Sequence, residues 1–188
     1  MGIRIAKSRS LCFSLFCFLV LVCCHPCGGK VTKLVQEVCA KTSNYSFCVE
    51  SLYSDPHAAE ADAYWLADIA FRLAYVNATS TQNHILELLK KSTSGDYRGR
   101  LQRCGSDYKK AVSAIEMGLN DLNSESFDLL AGYADHAAHA ASDCQSAFEG
   151  SPNSPLTYMN NAFKGLCEIC VVISKLFTDP NSFDFSLL

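Results

Sequence analysis

The sequence predicts an all-α fold, an up-down-up-down four-helix bundle preceded by a short helical hairpin. Three observations carry this expectation. Apolar residues recur at steps of three and four along three consecutive segments of the second half, the signature of a one-sided amphipathic helix. No segment shows the period-two alternation of a half-buried strand. The connections between periodic segments are short and polar, which favours antiparallel neighbours.

Residues 1–29 differ from the rest. Arg4, Lys7 and Arg9 make a basic start, residues 11–24 are almost wholly apolar, and His25-Pro26-Cys27-Gly28-Gly29 follows. This is the tripartite pattern of a secretory signal peptide, with cleavage expected near Gly28 or Gly29. The apolar run is shorter than the ~20 residues of a membrane-spanning helix, and no later segment approaches that length. No membrane association is therefore expected after cleavage. The expected organisation is a signal peptide over 1–29, one domain over 30–180 (hairpin 30–56, bundle 57–180) and a tail over 181–188. Loss of Arg4, Lys7 and Arg9, with no acidic residue, takes the formal charge from −3 to −6. An acidic domain without a basic patch argues against nucleic acid as a partner and fits a basic protein surface.

The hairpin is expected from two short helical pieces, 31–41 and 45–52, around the turn-forming Thr42-Ser43-Asn44. Ser54-Asp55-Pro56 breaks the chain. From about residue 58 the composition favours helix as far as 91, with Leu66, Ile69, Leu73 and Val76 on one stripe. The next helix carries Leu101, Cys104, Tyr108, Val112, Ile115, Leu119 and Leu122. A third, with Ser124 as expected N-cap and Gly150 as its end, carries Phe127, Leu130, Ala134, Ala137, Ala141, Cys144 and Phe148. A fourth begins at Ser154-Pro155 and carries Leu156, Met159, Phe163, Leu166, Cys170, Ile173 and Phe177 before Asp179-Pro180 stops it. These stripe residues are the expected core.

Of the 11 cysteines, five leave with the leader, and Cys39, Cys48, Cys104, Cys144, Cys167 and Cys170 remain. An even number in an oxidising compartment reads as a disulfide framework. A Cys39–Cys48 bridge closes the shortest loop across the hairpin. Cys104 and Cys144 lie on core-facing stripes of consecutive helices and meet if their heights match. Cys167 and Cys170, one turn apart, are then buried free thiols, or a pair if the helix distorts. The sequons Asn44-Tyr45-Ser46 and Asn77-Ala78-Thr79 are candidate glycosylation sites at Asn44 and Asn77.

No motif for nucleophilic, phosphate-binding or dinucleotide chemistry is present, so the chain is not expected to be an enzyme. Cys167-Glu168-Ile169-Cys170 has C-x-x-C spacing but lacks both the helix N-terminus of a redox pair and the second ligand pair of a metal site. Asp135, His136 and His139 cluster on one helix without zinc-enzyme spacing. No metal and no cofactor are expected. Glu60, Asp62, Asp68, Asp107, Glu116 and Asp121 are expected to form an acidic helix face that steers a basic partner.

Val38-Cys39-Ala40-Lys41-Thr42, Asn44-Tyr45-Ser46-Phe47-Cys48-Val49, Leu52-Tyr53-Ser54-Asp55-Pro56 and Ala61-Asp62 together resemble the opening of the plant invertase/pectin methylesterase inhibitor family. Cys104 with Tyr108, Asp143-Cys144 with Phe148, and Ser154-Pro155-Leu156-Thr157 leading to Leu166-Cys167 extend the likeness over residues 31–177. The resemblance implies bridges Cys39–Cys48 and Cys104–Cys144, a disulfide-closed hairpin, and an unpaired cysteine at Cys167; Cys170 is additional. It implies stoichiometric, non-catalytic inhibition of a plant enzyme in the apoplast, or alternatively the vacuole. The implied partner is pectin methylesterase, with acid invertase as the alternative target and a non-inhibitory interaction module as a further one. The Pro-Lys-Phe triplet that some invertase-blocking members insert into their target is absent from residues 118–127. A homodimer formed through the hairpin is a further expected association.

Overall fold

The computed structural model describes residues 31–93, 95–150 and 154–179. The expected signal peptide and the expected tail lie outside the described residues. The hairpin consists of α1 (Lys33–Ala40) and α2 (Tyr45–Leu52), followed by a 3-10 turn (Pro56–Ala59). Four long helices follow: α3 (Ala63–Lys91), α4 (Asp96–Asn123), α5 (Leu130–Ser146) and α6 (Thr157–Thr178). No strand occurs among the described residues.

Local chemistry sets the starts of the early elements. The side chains of Thr32, Asn44 and Asp62 accept from the amides of Val35, Phe47 and Trp65 at 3.4, 3.1 and 2.9 Å, each satisfying an amide that a helix start leaves without a partner. Asp55 does the same for His57 at 2.9 Å, with Pro56 in the first position of the turn. This turn and the Asp62 cap explain why α3 starts at Ala63 and not near residue 58.

Two expected features shift. Val76 is 65% exposed and Leu73 only partly buried, while Leu66, Ala70, Ala74, Ala78 and Ile85 face inward. Small side chains win the inner stripe because α3 packs against both α4 and α6, where alanine permits close backbone approach. Ser124 ends α4 and does not begin α5: its hydroxyl donates to the Asn120 carbonyl at 2.8 Å. The amide of Ser126 reaches the Asp121 carbonyl at 2.8 Å and that of Glu125 the Leu122 carbonyl at 3.0 Å. This is a Schellman stop, with Glu125 in the left-handed region at φ 55°. Phe127 thus lies in the connection, stacked on Phe177 at 4.4 Å between ring centroids.

The long helices pack α3–α4, α4–α5, α5–α6 and α6–α3, closing a four-membered ring. Gly118 lies against the ring of Phe71, and Gly105 lies near Ile85, so α3 and α4 run antiparallel. Cys104 and Cys144 are bonded, and Arg100 donates to the carbonyls of Ala147 and Glu149 at 3.1 and 3.2 Å, which sets α5 antiparallel to α4. Cys39 and Cys48 are bonded across the hairpin. In the chain-entropy picture, bridges of these sequence separations stabilise by about 4 and about 2.5 kcal/mol respectively. The hairpin rests on α6 and α3. Phe47 covers Gly165, where an added Cβ would come within 2.6 Å of the ring. Glu168 accepts from the amide and hydroxyl of Ser43 at 2.8 and 2.6 Å.

Candidate partner-binding surface

The six acidic residues expected on one solvated face divide in two. Asp68 is 8% exposed and accepts from Arg72 Nε at 2.6 Å; Asp107 is 4% exposed and its Oδ1 accepts from Lys110 at 3.2 Å. Asp68 lies between buried Ala67 and Ile69, and Asp107 adjoins buried Tyr108. Burial therefore takes both out of the expected acidic face. Their positions on the margin of the apolar stripe carried the signal, because three-to-four spacing from Cys104 and Ala111 places residue 107 inward.

Glu60, Asp62 and Glu116 are exposed, and Asp121 is partly so. The Phe71–Gly118 contact puts the N-terminal end of α3 beside the C-terminal end of α4, so these four carboxylates share one end of the bundle. Glu116 accepts from the Tyr75 hydroxyl at 3.1 Å, tying α4 to α3. On the outer side of α3 the structure exposes Trp65 (59%), edge-on to Tyr64, together with Arg72 and Val76. The steps 65, 72 and 76 put these three on one stripe. Trp65 thus presents a large aromatic ring to solvent beside charged groups. Helical periodicity places Val76 in the expected core and singles out no role for Trp65. Its seven-residue spacing from Arg72 was the available signal.

No catalytic constellation forms elsewhere on the described surface. Asp55 and His57 lie 2.9 Å apart, but Asp55 is the cap of the 3-10 turn that contains His57, and the His57 backbone amide holds the Asp55 carboxyl below the ordinary carboxylate range. His139 is 3.6 Å from Asp135, whereas His136 lines a separate groove with Lys109, Lys110 and Met117. Among the described residues no three ligating side chains form a group that could hold a metal ion. Cys167 and Cys170 are free and fully buried, and burial pushes both thiols well above their usual range. A thiolate is required for redox or metal chemistry, so these side chains serve the core.

The two sequons differ as well. Asn44 is exposed at the turn between α1 and α2, its Oδ1 engaged as the cap of α2. Asn77 lies in the middle of α3 with its Oδ1 buried, as is Oγ1 of Thr79, and neither atom has a hydrogen-bond partner.

Comparison with known proteins follows the same lines. A family model described as plant invertase/pectin methylesterase inhibitor matches residues 33–173. The chain is 34% identical to a pectinesterase inhibitor of Actinidia deliciosa, over 76% of this chain and 78% of that protein. It is 33% identical to the cell wall / vacuolar inhibitor of fructosidase 2 of Arabidopsis thaliana, over 61% and 62%. A crystal structure of a mutant form of a pectin methylesterase inhibitor from Arabidopsis has the same fold, with a TM-score of 0.71 at 20% identity, over 77% of this chain and 97% of that one.

Proposed function

The chain belongs to the plant invertase/pectin methylesterase inhibitor family, and we propose that it is a secreted inhibitor that binds pectin methylesterase in a stoichiometric complex and covers its substrate cleft. The observation that carries the choice of target is the match to the Actinidia pectinesterase inhibitor, which spans about three-quarters of both chains. The fructosidase inhibitor match covers less of each. The absence of Pro-Lys-Phe from residues 118–127 favours the same target, and the Schellman stop leaves that stretch as helix and tight turn without a projecting loop.

Inhibition of this kind needs no chemistry from the inhibitor. A bundle held by two bridges and a docked hairpin loses little conformational freedom on binding, so less of the contact energy is offset by ordering. Trp65 is the proposed aromatic anchor. Glu60, Asp62, Glu116 and Asp121 steer a basic target, which raises the association rate more than it deepens affinity. The compartment that fits is the apoplast. The leader pattern supports it, as do two disulfides, which persist in oxidising surroundings, and no described helix is long and apolar enough to cross a membrane.

Acid invertase is the second reading, favoured by the 33% identity to the fructosidase inhibitor. Parallel titration into a plant pectin methylesterase and an acid invertase near pH 5 separates them. Loss of methylesterase activity alone supports the proposal; loss of invertase activity alone overturns it in favour of the second target.

A further inference from the structure

A groove of about 630 Å³ runs between the hairpin and α6, within the range of small-ligand clefts. Its apolar floor includes Phe47, Ala138, Ala162 and Ile169. Tyr158 also lines it, 85% exposed, an unusual position for an aromatic ring with no ring partner among the described residues. Tyr158, Asn161 and Lys164 line the groove on consecutive turns of α6, and none of the three makes a hydrogen bond or ion pair among the described residues. Asp135 faces them from α5.

At the rim is Asn44, the acceptor of an exposed sequon. Its Oδ1 is held by the Phe47 amide at 3.1 Å, while its Nδ2 makes no hydrogen bond among the described residues. An N-linked asparagine keeps its carbonyl oxygen and substitutes only the nitrogen, so glycosylation leaves this cap intact. Asn77 offers no such geometry, because its amide oxygen is turned into the protein.

We infer that Asn44 carries an N-glycan whose first N-acetylglucosamine residues lie in this groove, with a sugar face against the Tyr158 ring. Pyranose rings present an apolar C–H face and a rim of hydroxyls. The groove answers with an aromatic platform, donors at Asn161 and Lys164, and an acceptor at Asp135. Its charged groups are of both signs, which fits a neutral sugar better than a uronate, whose carboxylate Asp135 and Glu168 would repel. The tether also lowers the entropic cost of occupancy, since one end is fixed at the rim. The glycan then covers the Phe47–Gly165 and Ser43–Glu168 contacts that dock the hairpin, and it shields the surface over buried Cys167.

This inference rests on the secreted reading, because only a chain entering the secretory pathway meets the glycosylating enzyme. Protein produced in plant cells is first mapped by mass spectrometry, and the glycosylated form is then compared with Ser46→Ala protein. That substitution removes the sequon at an exposed position and leaves the Asn44 cap in place. The expected result is a glycan at Asn44, nuclear Overhauser contacts between N-acetylglucosamine protons and the Tyr158 ring, and several-fold slower nitration of Tyr158 than in Ser46→Ala. Tyr158→Ala should keep the glycan but lose its ordering, and at an 85% exposed position the substitution removes no core contact. A glycan at Asn44 without ring contacts and with unchanged nitration overturns the groove assignment and leaves the secreted reading standing. An unmodified Asn44 in secreted protein overturns the glycan itself. Protein that never enters the secretory pathway overturns both.

Discussion

The hydroxyl of Tyr108 donates to Oδ1 of Asn160 at 2.8 Å in the interior of the bundle, where both residues are fully buried. Asn160 in turn donates through Nδ2 to Gln145 at 2.8 Å, and Gln145 to the Thr157 hydroxyl at 3.1 Å. One polar chain thereby links α4, α5 and α6 close to the Cys104–Cys144 bridge. Tyr108→Phe keeps the ring but strands the Asn160 oxygen. The expected cost is about 1–3 kcal/mol, read from urea unfolding at neutral pH.

The same phenol makes an alkaline prediction. Burial pushes the Tyr108 pKa above its ordinary value, so the unfolded chain releases this proton first. The stabilisation is fully present below pH ~10, the unfolded value, and is lost as pH rises beyond it. The stability gap between wild type and Tyr108→Phe should therefore narrow above that pH. A constant gap would contradict the assignment.

At Gly118 an added methyl meets the fully buried ring of Phe71, which has nowhere to move. Gly118→Ala should destabilise by about 1–3 kcal/mol through overpacking. Gly165→Ala meets Phe47, which is only partly buried and has room to swing out. It should cost less globally but speed hydrogen exchange selectively in α1 and α2. Equal global losses for both variants would show that the hairpin and the bundle unfold as one unit.

Glu125 occupies the left-handed position of the Schellman stop. Glycine there avoids about 1–2 kcal/mol of backbone strain and gives back about 0.4–1 kcal/mol through the more flexible unfolded chain. Glu125→Gly should raise stability by roughly half to one kcal/mol on the difference of those terms, seen as a higher melting temperature.

Protein lacking residues 1–29 should show no thiol reacting with a chromogenic disulfide reagent while folded and two reacting in denaturant. The two are Cys167 and Cys170, whose burial suppresses the thiolate. Slow single labelling of the native protein would mean that the groove opens to Cys167.

Much of this fold is legible in the residues. Leu101, Cys104, Tyr108, Ile115 and Leu122 follow helical spacing and are all buried, because one long helix with two neighbours imposes a simple period. Asn44 and Asp62 mark helix starts through a local hydrogen bond. What spacing alone did not separate were positions at the margin of a stripe. Val76 turned outward because alanines took the close contacts, and Asp68 and Asp107 turned inward because each lies three or four positions from a buried stripe residue, Phe71 for the first and Cys104 and Ala111 for the second. The Ser43–Glu168 and Phe47–Gly165 contacts join residues more than a hundred positions apart, and no local pattern encodes such pairs. The proposed contact face is the least legible, since exposure of Trp65 follows from how the whole bundle closes.

The central claim is stoichiometric blockade of pectin methylesterase without chemistry from the inhibitor. Its most direct measurement is the residual activity of a fixed amount of a plant pectin methylesterase as purified protein is added near pH 5. A linear fall to baseline at one equivalent, with the protein recovered unchanged from the complex, is the predicted result. Full methylesterase activity at large molar excess would contradict it.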